Sequence, residues 1–211
     1  MSDKQIHGYK IISLSEMLKQ TGEERTDHIL SSFSSPLNSD VEFFLKTKAI
    51  FFDKQSISRT HLVFTSYCNQ VVLVGYFTLA SKDFTIPAKN ISSNLKNKIK
   101  KFGNYDCETK SYKISAPLIA QLSKNFADGY NKLITGDELL KMACNMVSEI
   151  QMIIGGRIVY VECEDNVKLR DFYETNGFVV FNERQLDAGS KENMGVDYLL
   201  QLLRYLNQTK A

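Results

Sequence analysis

The sequence predicts an α/β fold built on one mixed sheet with helices on both faces. Three observations predict it. Apolar residues recur at helical spacing over residues 40–56 (Val41, Phe44, Leu45, Phe52), and the period then shortens. Thr60–Tyr67 and Gln70–Ala80 are rich in β-branched and aromatic residues, as strands are. After residue 111, strand-like and helical segments alternate, which is how βαβ units read.

Taken in order, a polar start leads to a strand at Tyr9–Leu14. A short helix follows at Ser15–Gln20 with Ser15 as its N-cap. A loop with Ser34, Ser35 and Pro36 comes next, and Asn38, Ser39 and Asp40 offer caps for the helix at 40–56. The two strands after it form a hairpin turning at Asn69-Gln70. Residues 81–111 are rich in Lys and Asn and read as an insertion, helical around Asn90–Lys101. Ser111–Leu122 resumes strand character, followed by a polar loop, Ser123–Gly136. Asp137–Ile154 is a helix that Gly155-Gly156 stops. Then come a strand at Arg157–Cys163, a helix at Asn166–Asn176 ended by Gly177, and a strand at Phe178–Asn182. Pattern alone leaves Tyr198–Leu206 open between strand and helix. The strand–helix–strand portion should cross over right-handed, in parallel. No repeat or low-complexity linker divides the chain, so a single domain over 1–211 is expected, with an insertion at about 81–111.

Composition excludes several classes. At 211 residues and 43% hydrophobic, the chain buries a core without staples and is neither disordered nor collagenous. A net charge of +2 implies no large phosphate-tracking surface. Cys68, Cys107, Cys144 and Cys163 form no CxxC pair, and no His sits at ligand spacing from them. They read as reduced thiols of a cytoplasmic protein, with no metal. Residues 1–9 lack an apolar stretch after their charges, so no ordinary signal peptide is expected, and no run is long enough for a membrane span.

Two segments carry chemistry. The first is the strand, loop and helix from Ile114 to Ile150. Its loop ends in Ile134-Thr135-Gly136 and its helix starts at Asp137. A helix N-terminus presents unpaired N–H groups and partial positive charge, a natural seat for phosphate, and a glycine lets the chain come close. A glycine before a helix equally serves a plain turn. The second is Asn166–Phe178. On a helix Asn166, Leu169 and Tyr173 share one face. An amphipathic helix with Asn166 as N-cap and Leu169 and Phe172 in the core accounts for most of it. It leaves the phenol of Tyr173 unexplained.

That second segment resembles the last helix of the GNAT acetyltransferase superfamily, whose members show Asn, a small or apolar residue three on, Phe-Tyr, then Gly-Phe. Asn166, Leu169, Phe172-Tyr173 and Gly177-Phe178 match it position by position. Ile119–Asn125 resembles the family's fourth strand, Asp137-Glu138-Leu139-Leu140 the helix after its pyrophosphate loop, and Gly75-Tyr76-Phe77 the strand before it. The resemblance covers roughly residues 40–206. The family loop reads Arg or Gln, two residues, Gly, any residue, then Gly or Ala. Aligned on Gly136, this chain has Asn131 and Ile134 at the first two anchors, and an Ile there is expected to crowd the backbone's approach to phosphate.

The resemblance implies a GNAT-like fold, with mostly antiparallel N-terminal strands before a βαβαβ portion, and transfer of an acetyl group from acetyl-CoA to a primary amine. It assigns Tyr173 as the general acid for the departing thiolate. It assigns Leu122, Lys124, Lys132, Ile134, Thr135, Gly136, Asp137, Asn166 and Phe172 to cofactor binding. The base is Glu162 or Glu164 through water, with Glu162 the candidate carried forward; a solvated strand-end carboxylate is the alternative for each. Cys163 reads as a buried structural thiol, and His7, His28 and His61 show no pairing pattern.

The expected partners are a small-molecule or protein amine acceptor and, as a possible further one, a second copy of the chain; no membrane is expected. A toxin-type subgroup acetylates aminoacyl-tRNA. Phe43-Phe44-Leu45, Ala49 and Ser58-Arg59-Thr60 resemble it, and the lysines of the insertion (such as Lys96, Lys98, Lys100 and Lys101) would meet RNA backbone. A solvated face explains those lysines equally. A catalytically inactive GNAT-like module is the competing class, because the loop is degenerate and no base stands out. No G-x-x-x-x-G-K-[ST] loop is present.

Overall fold

A computed structural model describes residues 7–189, 191 and 195–206; the expected domain limits, 1 and 211, lie outside them. In chain order the elements are β1 (His7–Ser13), α1 (Leu14–Thr21), α2 (Glu23–Ser31), α3 (Ser39–Phe43), a π-helical turn (Phe44–Lys48), α4 (Ala49–Lys54), β2 (Arg59–Tyr67) and β3 (Gln70–Pro87). Then come a 3-10 turn (Ala88–Asn90), α5 (Ser93–Ile99), β4 (Gly103–Asp106), β5 (Ser111–Lys124), a second 3-10 stretch (Ala127–Lys132), α6 (Gly136–Ile154), β6 (Ile158–Cys163), α7 (Val167–Thr175), β7 (Val179–Gln185) and β8 (Tyr198–Tyr205). Hydrogen-bonded neighbours follow the order β1-β2-β3-β5-β6-β8-β7, with β4 on β5. β5 and β6 pair in parallel, whereas β1–β2, β2–β3, β4–β5, β6–β8 and β7–β8 are antiparallel. The mixed α/β sheet predicted from the sequence is therefore the fold.

Local chemistry moves several expected boundaries. Ser13, not Ser15, caps α1: its hydroxyl accepts from Glu16 N at 3.1 Å, while the Ser15 hydroxyl donates to the Asp53 carboxylate. The sequence reading passed over α2. The helix expected at 40–56 is interrupted by the π turn, where Ala49 N bonds Phe44 O. The β2–β3 turn sits one residue earlier than expected. Cys68 and Asn69 both have positive φ (50° and 61°), as a two-residue primed turn requires. β3 runs into the segment read as an insertion, and Tyr198–Tyr205 is a strand lying between β6 and β7.

Contacts divide the chain into two compact units, Met1–Ala80 with Ala120–Ala143, and Ser81–Ile119 with Cys144–Ala211. In the first, Leu14, Leu30, Phe33, Leu45, Leu62 and Tyr76 are fully buried together. The Tyr76 ring meets Phe33 edge-on at 5.2 Å, and its hydroxyl donates to Val41 O at 2.6 Å, which secures α3. Buried Asp53 receives Arg59 Nη1 at 2.9 Å, so its charge is paired where water is scarce.

The strongest organiser of this unit is Asn125, 1% exposed. Its Oδ1 accepts from Ser34 N and Ala127 N, both at 3.0 Å, and its Nδ2 donates to Leu73 O at 2.9 Å. Its backbone N–H reaches Val74 O at 2.8 Å. The β2–β3 register slips at this point, with Val63 opposite Gly75 but Phe64 opposite Leu73. A bulge thus frees a carbonyl that Asn125 satisfies. Gly75 lies beside it. A Cβ there would stand 2.9 Å from Ser123 O and 3.2 Å from Leu139 Cδ2, so β3 approaches β5 and α6 through a gap only glycine leaves open.

In the second unit, Ile158, Val159, Tyr160 and Val161 of β6 are all buried, as in a strand covered on both faces. Phe84, from the far half of β3, packs on Tyr160 at 4.4 Å and Phe181 at 5.1 Å. Gln151 Nε2 donates to Ile158 O at 2.8 Å and ties the end of α6 to the start of β6. The parallel ladder is short: Leu118 faces Tyr160 and Ile119 faces Val161.

Asn125→Ala should cost about 2–4 kcal/mol, from three lost side-chain bonds and the buried groups left unpaired; urea unfolding measures it. Gly75→Ala should cost about 1–3 kcal/mol by overpacking, and an unchanged urea midpoint would refute the close approach.

Candidate active site

The N-terminus of α6 is closed by a reciprocal cap. Thr135 Oγ1 accepts from Glu138 N at 3.1 Å, and Glu138 Oε2 accepts from Thr135 N and Thr135 Oγ1, each at 2.8 Å. This is a capping box, and the T-x-x-E spacing that marks it was available in the sequence. The Glu138 carboxyl is held below its ordinary range, first by the Thr135 N–H and then by the Thr135 hydroxyl. The Tyr9 hydroxyl donates to Leu133 O at 2.7 Å and steadies the preceding residue. Two first-turn N–H groups are therefore engaged. Helical geometry gives the Gly136 N–H no acceptor within the helix. Asp137 and Glu138 put negative charge on this turn, which stabilises the helix but opposes an anionic ligand.

The other residues assigned to the cofactor are placed as follows. Ile134 is 2% exposed, its side chain drawn into the core, so the crowding expected from it is directed inward. Thr135, Asp137 and Lys132 are exposed, and Gly136 is half-buried. Lys124 Nζ donates to Asn131 O at 3.1 Å and lies 5.9 Å from the Phe126 ring, so this ammonium braces the loop. Leu122 is half-buried. Its neighbour Gln121 has an enclosed amide oxygen with no hydrogen-bond partner among the described residues.

In the second unit Asn166 caps α7, its Oδ1 accepting from Lys168 N at 2.9 Å, and Gly177 ends the helix at φ 80°. The core residue of this helix is Tyr173, 8% exposed, and not Phe172, which is half-buried and meets the Tyr173 ring at 5.0 Å. Phe178 closes the other side at 5.6 Å. No described residue hydrogen-bonds the Tyr173 hydroxyl, and that hydroxyl is not among the fully enclosed unpaired atoms. Burial pushes its pKa well above the ordinary phenol value, with the thiols of Cys163 and Cys144 adding to the shift. Burial likewise raises the Cys163 thiol to about 11, which keeps it protonated and unreactive.

Glu162 points elsewhere along β6. Its Oε2 accepts from Arg184 Nε and Nη2, both at 2.9 Å, and its Oε1 from Gln201 Nε2 at 2.8 Å. The partners Arg184 and Gln201 were not anticipated, because they come from β7 and β8 and share no local pattern with Glu162. Among the described residues no three His, Cys, Asp or Glu side chains gather as a metal site, and no helix is long and apolar enough to cross a membrane.

The capping box makes a pH-dependent contribution. A carboxyl with lowered folded pKa stabilises above its unfolded value of about 4.3 and loses that contribution as pH falls through the folded value. Glu138→Gln should therefore flatten the loss of thermal stability below about pH 5. An unchanged acid profile would dismiss the box as a stabiliser.

No protein-family model matches the sequence, and no curated protein is significantly similar to it. Solved structures do match the fold. AtaT complexed with acetyl-methionyl-tRNAfMet superposes with a TM-score of 0.57 at 19% identity, covering 92% of this chain and 94% of that one. A tyrosine-to-phenylalanine mutant of KacT gives 0.59 at 15% identity, covering 92% and 94%. AtaTR bound with AcCoA gives 0.54 at 17%, covering 91% of each. At these identities the likeness is one of fold alone, the mixed α/β fold that this chain shares with AtaT and KacT.

Proposed function

We propose that the chain transfers the acetyl group of acetyl-CoA to a primary amine, which attacks the thioester directly. Acetyl-CoA would bring an activated acyl group. The chain's tasks are to hold its phosphates, polarise its carbonyl and return a proton to the departing thiolate. In this reading the start of α6, at Thr135, Gly136 and Asp137, faces the pyrophosphate, with Ile134 N–H and Lys132 in the preceding loop. The Leu122 N–H holds the thioester carbonyl, and Lys124 is the next contact. Asn166 and Phe172 belong to the α7 side, and Glu162 takes the amine proton through water.

The observation that carries the reading is Tyr173: a buried phenol, kept protonated by its surroundings, whose hydroxyl no described residue occupies. Such a group is a proton donor at neutral pH. The fold shared with AtaT and KacT supports it. One observation favours a narrower version, in which the amine belongs to an aminoacyl-tRNA: a structural neighbour, AtaT, is complexed with acetyl-methionyl-tRNAfMet. The lysines of residues 81–111 would then meet phosphates.

Tyr173→Phe should lower acetyl transfer about 10²–10⁴-fold while leaving the thermal shift given by acetyl-CoA intact. Thiol release should show no alkaline fall below about pH 10 on account of Tyr173. Equal activity in the variant removes Tyr173 from the mechanism. No thermal shift at millimolar acetyl-CoA favours an inactive interaction module instead.

A further inference from the structure

A cleft of about 490 Å³ lies wholly within the second unit, on the strand positions of β6 that carry Tyr160 and Glu162. That size suits a small ligand. Lys82 and Asp83 border it from the far half of β3, and Glu183 and Arg184 from β7. With Glu162, these make two positive and three negative side chains, and Arg184 pairs with Glu162 and Lys113 with Asp83, so the cleft is of mixed charge.

Tyr160 is the odd member. It is 1% exposed, yet no described residue hydrogen-bonds its hydroxyl, and that atom is not fully enclosed. A buried phenol normally finds a partner, and here the open space beside it is the cleft. Burial, with Glu162 next, keeps this phenol protonated, so it acts as a donor. Its natural acceptor in a cleft of mixed charge is a neutral carbonyl. The neighbouring groups suit an ammonium. The Asp83 carboxyl is held low by hydrogen bonds from Ser115 and then Lys113 and so stays ionised. Glu162 has about one lone-pair site, on Oε1, beyond those taken by Arg184 and Gln201. Phe84 lies tilted against Tyr160 at 4.4 Å and closes the apolar side of the cleft.

We propose that this cleft binds a primary ammonium group carried beside a neutral carbonyl, with the Tyr160 hydroxyl donating to the carbonyl and Asp83 and Glu162 facing the ammonium. Its use as the acceptor subsite rests on the acetyltransferase reading; the binding itself does not.

The test is a titration of the full chain, without acetyl-CoA, with glycinamide, N-acetylglycinamide and glycine, followed by NMR shifts of cleft residues. Glycinamide should bind, and the acetylated amide and the free amino acid should bind at least about tenfold more weakly. Tyr160→Phe keeps the ring and should weaken glycinamide about tenfold; Asp83→Asn, at the exposed rim, should weaken it as well. Both should leave the acetyl-CoA thermal shift unchanged. Undetectable glycinamide binding, equal binding of N-acetylglycinamide, or unaltered affinity in Tyr160→Phe overturns the proposal. Glycinamide binding in a chain that neither binds nor uses acetyl-CoA upholds the cleft and defeats the transfer reading alone.

Discussion

One buried amide, that of Asn125, sets the geometry on which the first unit depends. It joins three stretches of chain distant in sequence: the linker after α2 at Ser34, the bulge of β3 at Leu73 and Val74, and the loop leaving β5 at Ala127. Each contact satisfies a backbone group that the bulge or the chain reversal would leave unpaired. An apolar residue of equal size would fill the space and satisfy none of them. Gly75 completes the arrangement, because the bulge brings β3 close to the β5 backbone. The end of β5 and the first turn of α6, which carry most of the assigned cofactor contacts, take their positions from these two residues.

Two electrostatic themes run through the candidate site. At the start of α6, the helix offers an N–H to an anion while the carboxylates of Asp137 and Glu138 oppose it. Helix stability and anion affinity thus make opposite demands on one turn, and the capping box favours stability. At Tyr173 and Tyr160, low local polarity does the reverse of what it does to a carboxylate. It holds the proton on the oxygen, so both phenols are donors over the neutral range. They belong to the same unit but to different surroundings: one among thiols and rings, the other among charges.

Much was legible in the sequence where the signal is local. Asn166 and Gly177 announced both ends of α7, and Asn38 was one of three cap candidates before the helix at 40–56, because caps act within three residues of themselves. The strands at 60–67 and 158–163 followed from β-branched and aromatic runs. The errors arose where a distant partner outweighed the local signal. Ser15 looks like a cap but is taken by Asp53, which leaves Ser13 to cap α1. Phe172 looks like the core residue of α7, yet the helix turns Tyr173 inward, between Phe172 and Phe178.

The sequence by itself determined most of the strands and helices, though not α2 or the type of β8, together with the mixed α/β class and the two segments that carry chemistry, because periodicity and capping depend on neighbours along the chain. Tertiary structure alone decided that β8 lies between β6 and β7, that Ile134 turns into the core, that Glu162 is held by Arg184 and Gln201, and that the hydroxyls of Tyr160 and Tyr173 have no partner among the described residues. These depend on which chain segments meet in space, and the chemistry of a side chain is set by what surrounds it there.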